Sequence, residues 1–283
     1  MASGFVSAGI IIIVYGTYAR RVGIQIYRNR CSKCGYRWMQ FDFGPGIAQK
    51  LAWKFEEELL RQRKRGNPRK LGNTLLALAS CELYQNDYER GARLLEEGLA
   101  LSREAGNKRG IAISLNDLGL VAIFQGDSAR ARTLLEESLM LARELRDWQV
   151  MASPLNSLGF AVLDGGEHER ASQLFAEALV LQQKLGRGEG IAWNLEGLAE
   201  VAAARKQMAR AATLCAAAQA LREEIGVPRM LAMQQRYERT IATARALLGE
   251  TAFAVAWREG RMMPQDDAIV YALENTRQTG VRV

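Results

Sequence analysis

Cys31 and Cys34, separated by Ser32 and Lys33, are the residues whose spacing points most directly at chemistry. Two thiolates at this spacing can hold one metal ion, but a structural zinc site takes four ligands. The other cysteines, Cys81 and Cys215, stand far apart within helical patterns, and the one histidine, His168, lies far along the chain. Zinc at Cys31 and Cys34 would therefore need two chains, each giving two thiolates, and would make a homodimer. The pair is otherwise an unmetallated turn or a redox dithiol. No disulfide framework is indicated, and a reducing compartment is the simpler reading. No Ser/His/Asp set or convergent carboxylate pair can be assembled from this sequence. The chain is therefore read as no enzyme and as needing no cofactor.

The elements around the cysteine pair set its context. Residues 20–47 include "VGIQIYRNRCSKCGYRWMQFDF", which alternates apolar and polar residues in places as a two-stranded ribbon does. This stretch resembles a single rubredoxin or zinc-ribbon knuckle. Ahead of it, residues 2–19 carry no charge and are followed at once by Arg20 and Arg21. That length just reaches the ~18–20 residues a bilayer-crossing helix needs, and the arginines would hold the following chain in the cytoplasm. Residues 1–19 are thus expected as an inner-membrane anchor. Gly4, Gly9, Gly16 and the run Ile10–Val14 fit a buried strand as the alternative.

Charge divides the chain as well. Residues 1–70 hold fourteen Lys/Arg against four acids, or +10, which leaves −3 for the rest of a chain of net +7. Part of this excess is "RQRKRGNPRK", Arg61–Lys70, at the end of a basic helix or linker spanning 48–69. Beside an anchor, its partner would be anionic lipid headgroups. Nucleic acid is not expected, because no aromatic-interleaved or base-reading motif accompanies the run. A solvated linker is the plainest alternative.

The remainder is a repeat. "ERGARLLEEGLALSRE" from Glu89, "ARARTLLEESLMLARE" from Ala129, "ERASQLFAEALVLQQK" from Glu169 and "ARAATLCAAAQALREE" from Ala209 align at a spacing of 40 without a gap. Arg90, Arg130, Arg170 and Arg210 share one position, and Leu94, Leu134, Leu174 and Leu214 another. A second helical block precedes each, with apolar residues at three- and four-residue steps. Each unit over 70–227 is therefore a helical hairpin. One hairpin cannot bury its apolar face alone, so four must stack. Residues 228–283 supply the caps: a helix from Pro228 to about Leu248 over the open end, with Ala252–Gly260 and Gln265–Glu274 folded against it.

These positions resemble the tetratricopeptide repeats. The pairs Leu118-Gly119 and Leu158-Gly159, with Leu78-Ala79 and Leu198-Ala199 outside them, match the small residue that lets the first helix approach the second. Gly91, Ala131, Ala171 and Ala211 match its counterpart on the second helix, followed by Gly98, Ser138, Ala178 and Ala218. The resemblance implies an all-α, right-handed helical-hairpin solenoid that binds protein partners. Its 40-residue period and the segment Leu248–Leu273 are similar to the C-terminal arrays of bacterial signalling ATPases and LuxR-type transcription regulators. This sequence contains no phosphate-binding loop of the kind those proteins carry.

A binding surface on such an array is its concave face, lined by the first helix of each hairpin. Asn116 and Asn156 hold equivalent places there and could pair with the backbone of an extended peptide. Leu120 and Phe160 could accept an apolar side chain, and Trp193, Glu196 and Glu200 extend the surface. The alternative for these seven residues is packing between hairpins.

Overall fold

A computed structural model describes the backbone of residues 26–30, 37–41 and 45–277. Strands β1 (Ile26–Arg30) and β2 (Arg37–Phe41) pair antiparallel, with Ile26 opposite Phe41 and Arg30 opposite Arg37. Cys31, Cys34 and residues 2–19 lie outside the described residues. Among the described residues no helix is long and apolar enough to cross a membrane.

From residue 45 onward the described chain is helical: α1 (Pro45–Arg65), α2 (Pro68–Tyr84), α3 (Tyr88–Glu104), α4 (Lys108–Phe124), α5 (Ser128–Glu144), α6 (Trp148–Asp164), α7 (His168–Leu185), α8 (Gly188–Ala204), α9 (Met208–Ile225), α10 (Leu231–Leu248), α11 (Glu250–Met262) and α12 (Gln265–Arg277). The four expected hairpins are α2–α3, α4–α5, α6–α7 and α8–α9. Their regularity extends to half the period. Residues 66, 86, 106, 126, 146, 166, 186, 206 and 226, one at every turn, all take left-handed backbone with φ between 50° and 79°. Six of these are glycine, which adopts that region freely; Asn86, Arg146 and Lys206 are the exceptions. Asn67, Asp87, Asn107, Asp127 and Asp147 cap the helices that follow by accepting a backbone N–H of the first turn.

The first helices of neighbouring hairpins touch one another, α2 to α4, α4 to α6 and α6 to α8, while the second helices make no comparable contact. The first helices therefore line the inside of the curve. Small residues set how closely each hairpin closes. A Cβ on Gly119 would lie 2.5 Å from Leu135, and one on Gly159 2.6 Å from the ring of Phe175. A Cβ on Gly197 would lie 2.5 Å from the same ring, so Phe175 fills a slot between two glycines of successive hairpins.

Outside the curve, two rows of ion pairs repeat at the same period. Arg90 pairs with Glu56, Arg130 with Glu96 at 3.6 Å and Arg170 with Glu136 at 2.7 Å. Arg63 pairs with Glu97 at 2.8 Å, Arg103 with Glu137 at 3.5 Å and Arg143 with Glu177 at 3.5 Å. These pairs are half-exposed, and each contributes at most about 1 kcal/mol; they fix the register between hairpins. Both rows begin in α1. That helix takes the place of the second helix of a preceding half-repeat, with Leu51, Ala52 and Leu59 packed on Leu75, Leu78 and Cys81 of α2. Residues 48–65, expected as helix or linker, are thus the first layer of the stack.

At the far end, the helix foreseen from Pro228 starts at Leu231 and packs on α9, with Ala244 and Ile241 against Met208 and Ala212 and Tyr237 donating to the Cys215 carbonyl at 3.3 Å. One face of α9 is covered by α11, so closely that a Cβ on Gly260 would lie 2.1 Å from the Thr213 carbonyl oxygen. Thr213 Oγ1 donates to the Ala256 carbonyl at 3.2 Å. In the register of that row Ala176 stands where Arg210 would need a glutamate, and Arg210 donates instead to the carbonyls of Tyr271 and Ala272 at 2.8 and 3.0 Å. That contact ties α12 to the last hairpin. The first half of α10 also reaches the inner face, where Arg236 meets Asp164 and Glu200.

Candidate functional site

The inner face is where the sequence places a binding surface, and the structure shows how its residues are used. Asn156 is buried and donates from Nδ2 to Asn194 Oδ1 at 3.0 Å, while Asn194 Nδ2 donates to the Gly190 carbonyl at 2.7 Å. This part of the expected carboxamide ladder joins the third hairpin to the fourth. Asn116, equally buried, donates to Asp117 Oδ1 at 2.9 Å, and its own Oδ1 has no hydrogen-bond partner. Burial pushes the Asp117 carboxyl up to about 6, against the opposing effect of that hydrogen bond.

Leu120 is half-buried on the second hairpin. Its counterpart Phe160 is fully buried, edge-on to Phe175 at 4.8 Å and to Trp193 at 6.2 Å. The guanidinium of Arg236 on α10 lies 5.1 Å from the Phe160 ring centroid, so no outside side chain reaches that ring while α10 is in place.

Glu196 and Glu200 are likewise engaged by their own chain. Glu196 is almost fully buried and accepts from Arg222 at 2.7 and 3.1 Å and from Arg229 at 2.7 Å. The Arg229 guanidinium stacks 3.5 Å from the Tyr237 ring centroid. Glu200 accepts from Arg236 at 3.2 and 2.7 Å, and Asp164 accepts from the same guanidinium at 2.8 and 3.0 Å. Burial raises the Glu200 carboxyl above its usual range, with Arg236 pulling the other way. Across the groove, Tyr84 of the first hairpin donates to Glu189 of the fourth at 2.8 Å. Tyr88, 5.3 Å from the Phe124 ring, reaches the backbone of Ala232 at the start of α10. The first hairpin thus meets both the fourth and the segment that follows it.

Sequence reasoning named the wall and missed what lies on it. Asp164, Arg222, Arg229, Arg236 and Tyr237 sit in helices it foresaw, but nothing local marks that segments 72 residues apart meet. Cys81 and Cys215 are buried, as their helical positions suggest; burial pushes the Cys81 thiol up to about 12 and Cys215 higher still. His168 opens α7 at a turn. Among the described residues no three His, Cys, Asp or Glu side chains gather as a metal ion would require.

A family model for the tetratricopeptide repeat matches residues 70–144. Among solved structures, BtubC (BKLC) from P. vanneervenii has a TM-score of 0.51 at 16% identity, covering 85% of this chain and 92% of that one. A Podosopora anserina protein described as a kinesin light chain with nearly identical TPR-like repeats gives 0.48 at 18% identity, over 64% of this chain and 90% of that one. A search of curated proteins finds no match. Residues 70–144 thus match the tetratricopeptide repeat, and helical hairpins of the same period continue through residue 227.

Proposed function

We propose that this chain is a non-enzymatic adaptor whose inner groove receives a segment of a partner protein. The repeat fold is one suited to protein interaction. The observation that carries the reading is the seating of α10: the wall formed by Phe160, Asp164, Trp193, Glu196 and Glu200 has the shape and charge to hold a helix by its side chains. A photo-crosslinking residue placed at Leu120, in living cells, should give one discrete protein adduct, and the same residue at outward-facing Arg93 should give none. Adducts of equal yield from both faces, or none from Leu120, would contradict the groove.

The proposal includes a tether. Residues 2–19 would anchor the chain at the cytoplasmic face of the membrane, with Arg61–Lys70 against anionic headgroups; these ten residues are exposed apart from Gln62. Resistance of the full chain to carbonate and high-salt washes, lost on starting at Ala48, supports the anchor; a soluble full chain refutes it. Zinc shared through Cys31 and Cys34 of two chains predicts half an equivalent of metal per chain. A second reading rests on the resemblance of Leu248–Leu273, now seen as α11 and α12, to the ends of bacterial regulators. In that reading the chain is the sensor part of a signalling system whose effector is encoded separately, and it predicts binding to a nucleotide-hydrolysing or DNA-binding protein.

A further inference from the structure

The inner face of the third and fourth hairpins already holds a peptide, residues 226–237 of the same chain. Val227, Met230, Met233 and Tyr237 are buried there, the first two in the non-helical stretch that leads into α10 and the last two on its first turns. Arg229 in that stretch and Arg236 on α10 take three carboxylates of the wall, Glu196, Glu200 and Asp164. The opposite side, with Leu231, Gln235, Glu238 and Arg239, is exposed.

Two features bear on how this segment is held. Helices α11 and α12 reach α9 through contacts of their own, at Gly260 and Arg210, independent of residues 226–237. Its polar grip is through buried ion pairs, whose attraction is largely offset by desolvation, so they select a partner more than they stabilise the fold.

We propose that residues 226–237 occupy in cis the site at which the array takes its partner, and that this partner presents a segment of the same chemistry: an arginine in an extended lead-in and a second, seven residues on, in the first turns of a helix, beside methionine or aromatic side chains. This rests on the groove reading above and names its ligand class and its regulation. A lysine-bearing segment would bind less well, because Asp164 and Glu200 are met by the fork of one guanidinium, which an ammonium cannot reproduce.

The test uses the full-length chain and a labelled synthetic peptide of residues 226–249. The apparent affinity of an occupied groove falls by the fraction of time it stands open. Arg229→Glu with Arg236→Glu places carboxylates against the acidic wall, and this opened chain should bind the peptide at least about tenfold more tightly than the wild-type chain does. A peptide with both arginines replaced by alanine should lose that binding. In the wild-type chain, the hydrogen-bonded amides of 234–237 should exchange about tenfold or more faster than those of α8, as an element that opens by itself does.

An opened chain that stays helical and does not take the peptide would overturn the proposal. So would loss of the helical array in the double variant, since a removable occupant cannot be required for folding. Amide protection over 234–237 equal to that of α8 would also count against it. Crosslinking from Leu120 combined with failure of the peptide titration would leave the groove reading standing and remove occupation in cis.

Discussion

Arg236 on α10 and Glu200 on α8 meet through two hydrogen bonds, 3.2 Å from Nε and 2.7 Å from Nη2, with both side chains largely buried. The same guanidinium also takes Asp164 on α6 and lies over Phe160. One side chain therefore joins the third hairpin, the fourth and the segment after them. Any partner entering this half of the groove must displace that contact and supply a replacement cation.

Phe160 and Leu120 hold equivalent positions in the sequence but unequal ones in the structure. Phe160→Ala should destabilise the fold by about 3–5 kcal/mol, the range for emptying a buried aromatic site. Leu120→Ala, at a half-buried position, should cost about 1 kcal/mol. Urea unfolding of the two variants compares them directly. Equal costs would mean that Phe160 is not the core residue described.

The slot between Gly159 and Gly197 fixes the size of the side chain at 175. Gly159→Ala brings a methyl to 2.6 Å from the Phe175 ring and should cost about 1–3 kcal/mol through overpacking. Adding Phe175→Leu makes room and should restore part of that loss, seen as a partial recovery of the melting temperature. A neutral Gly159→Ala would show that the hairpin closes less tightly than this.

Asp117 gives the fold a pH dependence whose sign is fixed by its burial. Its folded pKa is about 6, above the usual carboxylate value. Between those values the folded state binds a proton that the unfolded state does not, so this group's favourable contribution is present at low pH and lost as pH rises through about 6. Asp117→Asn should therefore raise stability at pH 7, by at most about 3 kcal/mol, and change it little near pH 4. Melting temperatures of both chains at the two pH values test this; a variant less stable at pH 7 would contradict it.

Left-handed backbone at a residue with a Cβ costs stability that it does not cost at glycine. Lys206, at φ 61°, is such a site. Lys206→Gly should stabilise the chain by about 1 kcal/mol. Asn86→Gly should give less, because asparagine tolerates this region better. Chemical denaturation of the pair would reveal the ordering.

The hairpins were legible because their determinants are local and repeated. Leu118-Gly119 and Leu158-Gly159 announce a close helix–helix approach wherever they stand, and Asp87, Asn107, Asp127 and Asp147 announce helix starts. The half-repeat in α1 was legible too: Glu56, Glu57, Leu59 and Arg63 stand forty residues before Glu96, Glu97, Leu99 and Arg103. It escaped notice because bulky Leu51 and Glu58 replace the small residues at Gly91 and Gly98. The occupant of the groove could not be read in the same way. Arg229 and Arg236 look like ordinary surface charges, and only the curvature of four stacked hairpins brings Glu196 to the first and Asp164 and Glu200 to the second. Glu196 and Glu200 were named as surface for a ligand for the same reason, since their partners lie 26 to 36 residues downstream.

The grip of the inner face on α10 is measured most directly by a double-mutant cycle on Arg236→Ala and Glu200→Ala in the full-length chain, followed by urea unfolding. If the groove holds α10 through this pair, the two changes will be coupled by about 1–3 kcal/mol, as contacting charged residues are. If they add to within roughly 0.3 kcal/mol, Arg236 does not rest on Glu200 and α10 does not occupy the groove.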